Sequence, residues 1–162
     1  MKVLITGAGQ LAWELQRSCP TGITLHALDR QALDISDADA VAAVMQRIQP
    51  DAVINAAAYT AVDKAENERD HAMAVNALGP QYLAEQCQAL GAYFLHVSTD
   101  FVFNGEASRP YTTDAPIQPL GVYGESKAAG EQAIAQAMTH HWAVVRTAWV
   151  YSSHGNNFVR TM

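Results

Sequence analysis

Tyr123 and Lys127 carry the clearest chemistry in this sequence, and they stand four residues apart in Tyr123-Gly124-Glu125-Ser126-Lys127. On a helix, side chains at i and i+4 share one face. A free phenol has a pKa of about 10 and is a poor proton donor at neutral pH. A fixed ammonium beside it stabilises the phenolate and lowers that pKa, each unit being worth about 1.4 kcal/mol. Upstream, Ser98-Thr99-Asp100 closes an apolar run. A hydroxyl at such a strand end can hold a carbonyl oxygen against the phenol. Together these groups form a device for moving a proton to or from a carbonyl or alcohol oxygen. A Tyr-x-x-x-Lys pair alone is a common surface pattern, so its meaning depends on what the rest of the chain sets beside it.

The N-terminus supplies that context. Lys2 to Thr6 reads as a buried strand, since Val3, Leu4 and Ile5 are consecutive and apolar. Gly7-Ala8-Gly9-Gln10-Leu11-Ala12 follows, then a helical segment from Trp13 to Arg17. Strand, glycine turn and helix in this order match G-x-G-x-x-A, a form of the dinucleotide fingerprint. Gly7 permits the tight turn, Gly9 lets backbone approach a pyrophosphate, and Ala12 lets helix and strand pack closely. A second strand, Thr24 to Leu28, ends in Asp29-Arg30, about 20 residues beyond the turn, where a ribose-binding carboxylate is expected. Asp29 can accept from a 2′-hydroxyl, favouring NADH, and Arg30 can pair with a 2′-phosphate, permitting NADPH.

Further elements alternate in the same manner. Asp37 to Ile48 predicts an amphipathic helix through Val41, Val44, Met45 and Ile48. Asp34 and Ile35, just before it, lie where a doubly wound fold could touch adenine. Ala52 to Asn55 is the third strand. The small residues Ala56, Ala57 and Ala58, then Tyr59 and Thr60, suit a flat cofactor lying on backbone. Asp63 to Gly91 reads as mostly helical; Pro80 either kinks a helix or stands near the start of one, and Gly91 is a C-cap. Tyr93 to Ser98 is the fourth strand, Phe101 to Pro119 a long loop, and Ala143 to Arg146 the fifth strand. The Tyr-Lys helix runs to about Met138. Asn157 to Met162 reads as the first turn of a helix cut short, which points to a fragment of a longer protein.

The 162 residues, 49% hydrophobic and 16% charged, suit one α/β domain with a real core. No apolar run is long enough for a transmembrane helix, and the N-terminus lacks the h-region of a signal peptide. A net charge of −6 argues against nucleic acid or an anionic membrane as partner. Cys19 and Cys87 read as reduced thiols of a cytoplasmic protein, with no disulfide framework and no metal site.

With these residues on the page, the chain resembles the extended short-chain dehydrogenase/reductase superfamily, and within it the dTDP-4-dehydrorhamnose reductases. The resemblance rests on Asn55 to Glu66 (NAAAYTAVDKAE), Ser98 to Phe103 (STDFVF), Val122 to Lys127 with Gly130-Glu131, Arg146 to Tyr151 (RTAWVY) and Gly155 to Phe158. It implies a doubly wound parallel-sheet Rossmann fold that binds NADPH or NADH over residues 1–162, with the C-terminal substrate domain missing. The implied reaction is reduction of the 4-keto group of dTDP-4-dehydro-L-rhamnose to dTDP-L-rhamnose. Tyr123 would donate the proton, Lys127 would orient the nicotinamide ribose and lower the tyrosine pKa, and Thr99 would complete the triad. Gly9, Gln10 and Leu11 match the phosphate turn, and Gly7 before them is a candidate cofactor-binding residue. Asp29, Asp34, Ile35, Ala58, Tyr59 and Thr60 match cofactor contacts, beside which Arg30, Ala56, Ala57 and Val97 are candidate cofactor-binding residues, and Thr99, Asp100 and Trp149 match dTDP-sugar contacts. A homodimer of the full-length protein is a candidate arrangement. The glycine turn departs from the family's G-x-x-G-x-x-G, being one residue shorter with Ala12 in the last place. Two other readings stay open: a non-catalytic NAD(P)-binding regulatory subunit, and a sugar-nucleotide epimerase or dehydratase in which Asp100 acts as the acid.

Overall fold

A computed structural model describes residues 1–162. Five strands, β1 (Lys2–Thr6), β2 (Thr24–Leu28), β3 (Ala52–Asn55), β4 (Tyr93–Thr99) and β5 (Trp142–Thr147), form one sheet in the order β2-β1-β3-β4-β5. All four pairings are parallel. The chain leaves β1 towards β2 on one side and reaches β3 on the other. The order therefore switches between β1 and β3, where the carboxyl ends of an open α/β sheet form a crevice.

The strands are apolar because helices cover them. Leu4, Val53 and Phe94 stand in register across β1, β3 and β4. With Val41 and Met45, Leu83 and Cys87, and Ile134, they form the main buried cluster. Those partners lie on α2 (Ala38–Ile48), α5 (Gly79–Leu90) and α6 (Val122–Ala137). Val3 and Ile5 alternate to the opposite face and pack against Ala12 of α1 (Gln10–Arg17). Asp37 caps α2, its carboxylate accepting from the backbone N–H of Asp39 and Ala40 at 3.0 Å each.

Between β3 and β4 come α3 (Val62–Ala65) and α4 (Arg69–Met73). A wide π turn, Ala74–Leu78, joins α4 to α5. Pro80 sits in the first turn of α5, where its missing N–H costs little. So a helix begins near Pro80, directly continuing the wider turn before it. Gly91 ends α5 with φ 68°. A 3-10 turn, Asp100–Val102, follows β4 directly, and a short α7 (Phe158–Thr161) closes the described chain, capped by Asn157. α1 begins at Gln10, earlier than the Trp13 expected from sequence, so the second half of the glycine motif is already helical. No helix is long and apolar enough to cross a membrane.

Candidate active site

Two adjoining cavities lie over the carboxyl ends of β1, β3 and β4. One, of about 740 Å³, is bounded by Gly7, Gly9, Asp29, Arg30 and Asp34, and by Ala56 to Ala61. The other, of about 540 Å³, is bounded by Gly9, Gln10 and Leu11, by Val97 to Phe101, and by Tyr123, Lys127 and Trp149. They share Ala8, Gly9, Ala56, Ala58 and Thr60 and so form one groove. A larger concavity of about 1050 Å³ lies behind α6, against β5 and Phe103 to Pro119. It contains neither the glycine turn nor Tyr123 and Lys127, so the chemistry belongs to the groove.

At the groove's floor, Gly7 has φ 93°, a conformation that side chains rarely adopt. A Cβ there would come within 2.9 Å of the Ala57 backbone nitrogen, so the close approach of β1 and β3 requires glycine. Gly9 precedes α1, and no side chain caps that helix. A Cβ on Gly9 would meet nothing within 4 Å. Free helix N–H groups beside open space fit the pyrophosphate of a dinucleotide. At the outer end Asp29 accepts from the Ala32 N–H at 2.9 Å, and the Arg30 guanidinium lies 3.1 Å from Asp34. The Ser36 hydroxyl, donating to Asp34 at 2.6 Å, holds that carboxyl below its usual range, and Arg30 adds to the effect. Ile35 is almost fully buried, packed in the main core while one edge borders the groove.

Tyr59 is fixed from behind. Its N–H donates to the Asn76 side-chain oxygen at 2.8 Å, and the Asn76 amide returns to the Tyr59 carbonyl at 3.0 Å. The same amide reaches Ser126 Oγ on α6 at 3.0 Å, tying the Ala56 to Thr60 segment to the helix that carries Tyr123 and Lys127.

Tyr123 is half-buried, stacked edge-on to Phe101 with ring centroids 5.5 Å apart. Burial pushes its phenol above the ordinary value, the Thr99 hydroxyl opposes this, and the Asp100 charge adds to it. Thr99 donates to Asp100 at 3.1 Å and accepts from the Phe101 N–H at 3.2 Å. Contrary to the expectation that Lys127 lowers the Tyr123 pKa, the phenol is held above its ordinary value. The reason is where the ammonium points. Lys127 is 1% exposed, with Nζ 2.7 Å from the Val97 carbonyl oxygen and 3.0 Å from His96 Nε2. The Val97 backbone, counted from sequence among the cofactor contacts, is thus engaged by Lys127. Burial brings the Lys127 pKa down to about 8, against the raising effect of Glu131.

Sequence reasoning missed several groups. His96 sits fully buried between Lys127 and Asn55. Its signal was a lone imidazole on the inward alternation Phe94, His96, Ser98 of β4. Behind Lys127, Glu131 takes the Ser98 hydroxyl at 2.5 Å and a forked pair from Arg146, the shorter arm 2.6 Å. The segment after β5 folds over α1: Asn157 donates to Gln10 at 3.0 Å, Ser152 donates to Glu14 at 2.6 Å, and His154 stacks on Trp13. Trp149 stands 73% exposed at the groove's rim, edge-on to Phe158.

A parallel sheet with this order and a glycine turn at its switch point defines a Rossmann-like α/β domain. More narrowly, the chain belongs to the RmlD substrate binding domain family, whose model matches residues 1–162. It is 47% identical over 161 residues to the dTDP-4-dehydrorhamnose reductase of Streptomyces griseus, covering 98% of this chain and 53% of that one. It is 43% identical to the spore coat polysaccharide biosynthesis protein SpsK of Bacillus subtilis, covering 99% of this chain and 57% of that one. Among solved structures, the dTDP-4-dehydrorhamnose reductase of Bacillus anthracis in complex with NADP superposes with a TM-score of 0.96 at 41% identity, over 99% of this chain and 57% of that one. The chain thus spans about half the length of the curated relatives it matches.

Proposed function

We propose that this chain is the NAD(P)H-binding half of a dTDP-4-dehydrorhamnose reductase, with Tyr123 as the proton donor to the 4-keto oxygen. The observation that carries the reading is the single groove that has the glycine turn at one end and Thr99, Tyr123 and Lys127 at the other. Bound along the groove, NADPH or NADH would supply the hydride. The roles of this chain's own residues follow from their positions. The α1 N-terminus and Gly9 would hold the pyrophosphate, and Asp29 and Arg30 would meet the adenosine ribose or its 2′-phosphate. Thr99 would hold the substrate oxygen against the phenol, and Asp100 and Trp149 would border the dTDP-sugar. A neutral phenol carries the proton it must give, and a positive charge brought beside it would lower its pKa towards working pH, where proton transfer is most effective.

A non-catalytic subunit has no need of Thr99 and Tyr123 converging on the same groove, which favours the reductase over the regulatory reading. The substrate domain would lie in the part of the longer relatives that this chain does not match. Two free thiols, one of them buried, suit a reducing cytoplasm. A homodimer is a candidate arrangement of the longer protein.

The test is NAD(P)H oxidation with dTDP-4-dehydro-L-rhamnose, run on this chain and on a full-length relative. In the full-length enzyme, the counterpart of Tyr123→Phe should lower kcat by about 10²–10⁴-fold while cofactor affinity is nearly unchanged. Retention of more than about a tenth of kcat would remove Tyr123 from the role of acid.

A further inference from the structure

We propose that Glu66 is a positioning residue for Tyr123: from the joint between α3 and α4, its carboxylate caps the N-terminus of α6 and fixes where the phenol stands beside Thr99. The geometry is independent of the reductase reading, and only the effect on turnover rests on it.

α6 starts without a cap of its own. Its N-cap residue is Gly121, which has no side chain to fold back on the first turn. Val122 is buried, so its N–H needs an acceptor from the protein. That acceptor comes from 56 residues away, where Glu66 Oε1 takes the Val122 N–H at 2.9 Å. Gly121 makes room for it, since a Cβ there would stand 2.8 Å from the same Oε1. Gly121 has φ −152° and ψ 170°, extended backbone that any residue adopts. Glycine is therefore not needed for conformation; it leaves the space that the carboxylate fills. A negative charge also suits a helix N-terminus, which carries partial positive charge.

The rest of the first turn is held by the same neighbours. Arg69 of α4 pairs with Glu125 of α6 at 2.7 Å. Val122 packs with Ala65 and Ala72, and Tyr59 and Tyr123 lie against that small cluster. On the far side, a Cβ at Gly124 would run into the Phe101 carbonyl oxygen, so the turn is clamped between Glu66 and the end of β4. Tyr123 stands between the two clamped residues. Glu66 itself does not border the groove, so it acts through Tyr123 and not on substrate or cofactor.

This gives a role to the far end of Asn55 to Glu66, a stretch whose first half lines the groove. The wall that would hold the cofactor and the cap that places the proton donor belong to one continuous segment. Placement matters because a misplacement of about 1 Å, caused far from the chemistry, can cost about 10²-fold in rate.

Two signals read the cap directly. Hydrogen exchange of the Val122 amide reports the bond to Glu66. The Tyr123 ring signals of tyrosine-labelled chain report its place, because the ring sits edge-on to Phe101. The chain has six tyrosines, and Tyr123→Phe assigns the one in question. In Glu66→Ala, Val122 exchange should quicken by about tenfold and the Tyr123 signals should move. Glu66→Gln keeps an acceptor oxygen and should restore both. Gly121→Ala pushes the carboxylate aside at its flexible tip. Its unfolding midpoint should stay near wild type while exchange and ring signals follow Glu66→Ala, which separates position from stability. The proposal is overturned if Glu66→Ala leaves both signals in place or, should that variant not fold, if Gly121→Ala does. A Glu66→Gln variant that behaves like Glu66→Ala overturns it as well. In the full-length reductase, the counterpart of Glu66→Ala should lower kcat by about 10–10²-fold at unchanged cofactor affinity, with recovery in Glu66→Gln. An unchanged kcat would also overturn the positioning role. A wild-type full-length protein without reductase activity would sink the reductase reading alone, and the two signals would still decide the cap.

Discussion

Asn76 and Tyr59 pair reciprocally, side chain to backbone, at 2.8 Å and 3.0 Å. The pairing makes a side chain at the π turn the anchor of the groove wall that follows β3. Parallel strands supply no hydrogen bonds beyond their ends, so a segment such as Ala56 to Thr60 needs partners from elsewhere.

Asn76→Ala removes both of those bonds and the one to Ser126. Leaving buried partners unsatisfied costs about 1–3 kcal/mol. Urea unfolding should show that loss, and cofactor titration should show weakened binding, because the wall is released. A variant as stable as wild type would mean that Tyr59 and Ser126 find other partners.

Gly130 of α6 faces the same turn. A Cβ there would run into the Asn76 carbonyl oxygen. Backbone cannot yield as a flexible side chain does, so Gly130→Ala should cost about 1–3 kcal/mol by overpacking. Gly105, whose Cβ would meet nothing within 4 Å, tests the alternative that glycine loss is harmful in general. It has φ 73°, so Gly105→Asn, which tolerates that region, should be close to neutral in the same unfolding assay.

Cofactor choice should turn on Asp29 and Arg30. Arg30 already spans to Asp34 and is well exposed, so it can swing to a 2′-phosphate at little cost. Arg30→Ala should weaken NADPH relative to NADH by about 1.5–3 kcal/mol, the worth of a charge-assisted hydrogen bond. Asp29→Ala should weaken NADH more than NADPH. Calorimetric titration of both cofactors against both variants decides it, and equal losses throughout would remove these two residues from the choice.

What the sequence could disclose was local. The apolar triplet of β1, the glycine turn, the amphipathic spacing of Val41, Val44, Met45 and Ile48, and the helical spacing of Tyr123 and Lys127 each sit within a few residues, where period speaks directly. The partners of Lys127 do not. His96 lies 31 residues away and meets it only because β4 passes under α6, and Asn55 lies 41 residues from His96 across a strand pairing. The raised Tyr123 phenol has the same origin. Spacing brings an ammonium to the right face, but a flexible stem and a buried imidazole decide where the charge points. The wall that Ser152 to Asn157 builds over α1 has no periodicity to announce it.

Lys127 should also leave a mark on stability. Its native pKa of about 8 lies below the value of about 10.4 for an unfolded lysine. Between those values the unfolded chain binds the extra proton and the native chain does not. Stability from this group therefore rises as pH rises through that window, by about 3 kcal/mol at most. Cys87 works the other way. Burial pushes its thiol up to about 12, so the unfolded chain ionises first and stability falls with rising pH. The two are separated by comparing wild type with Lys127→Met, since Cys87 is common to both. His96 titrates far below this range and adds no slope. The difference in unfolding free energy should favour the wild type progressively, by about 1–3 kcal/mol, from pH 8 to about 10. A difference that stays flat across this window would mean that native Lys127 titrates like an unfolded lysine.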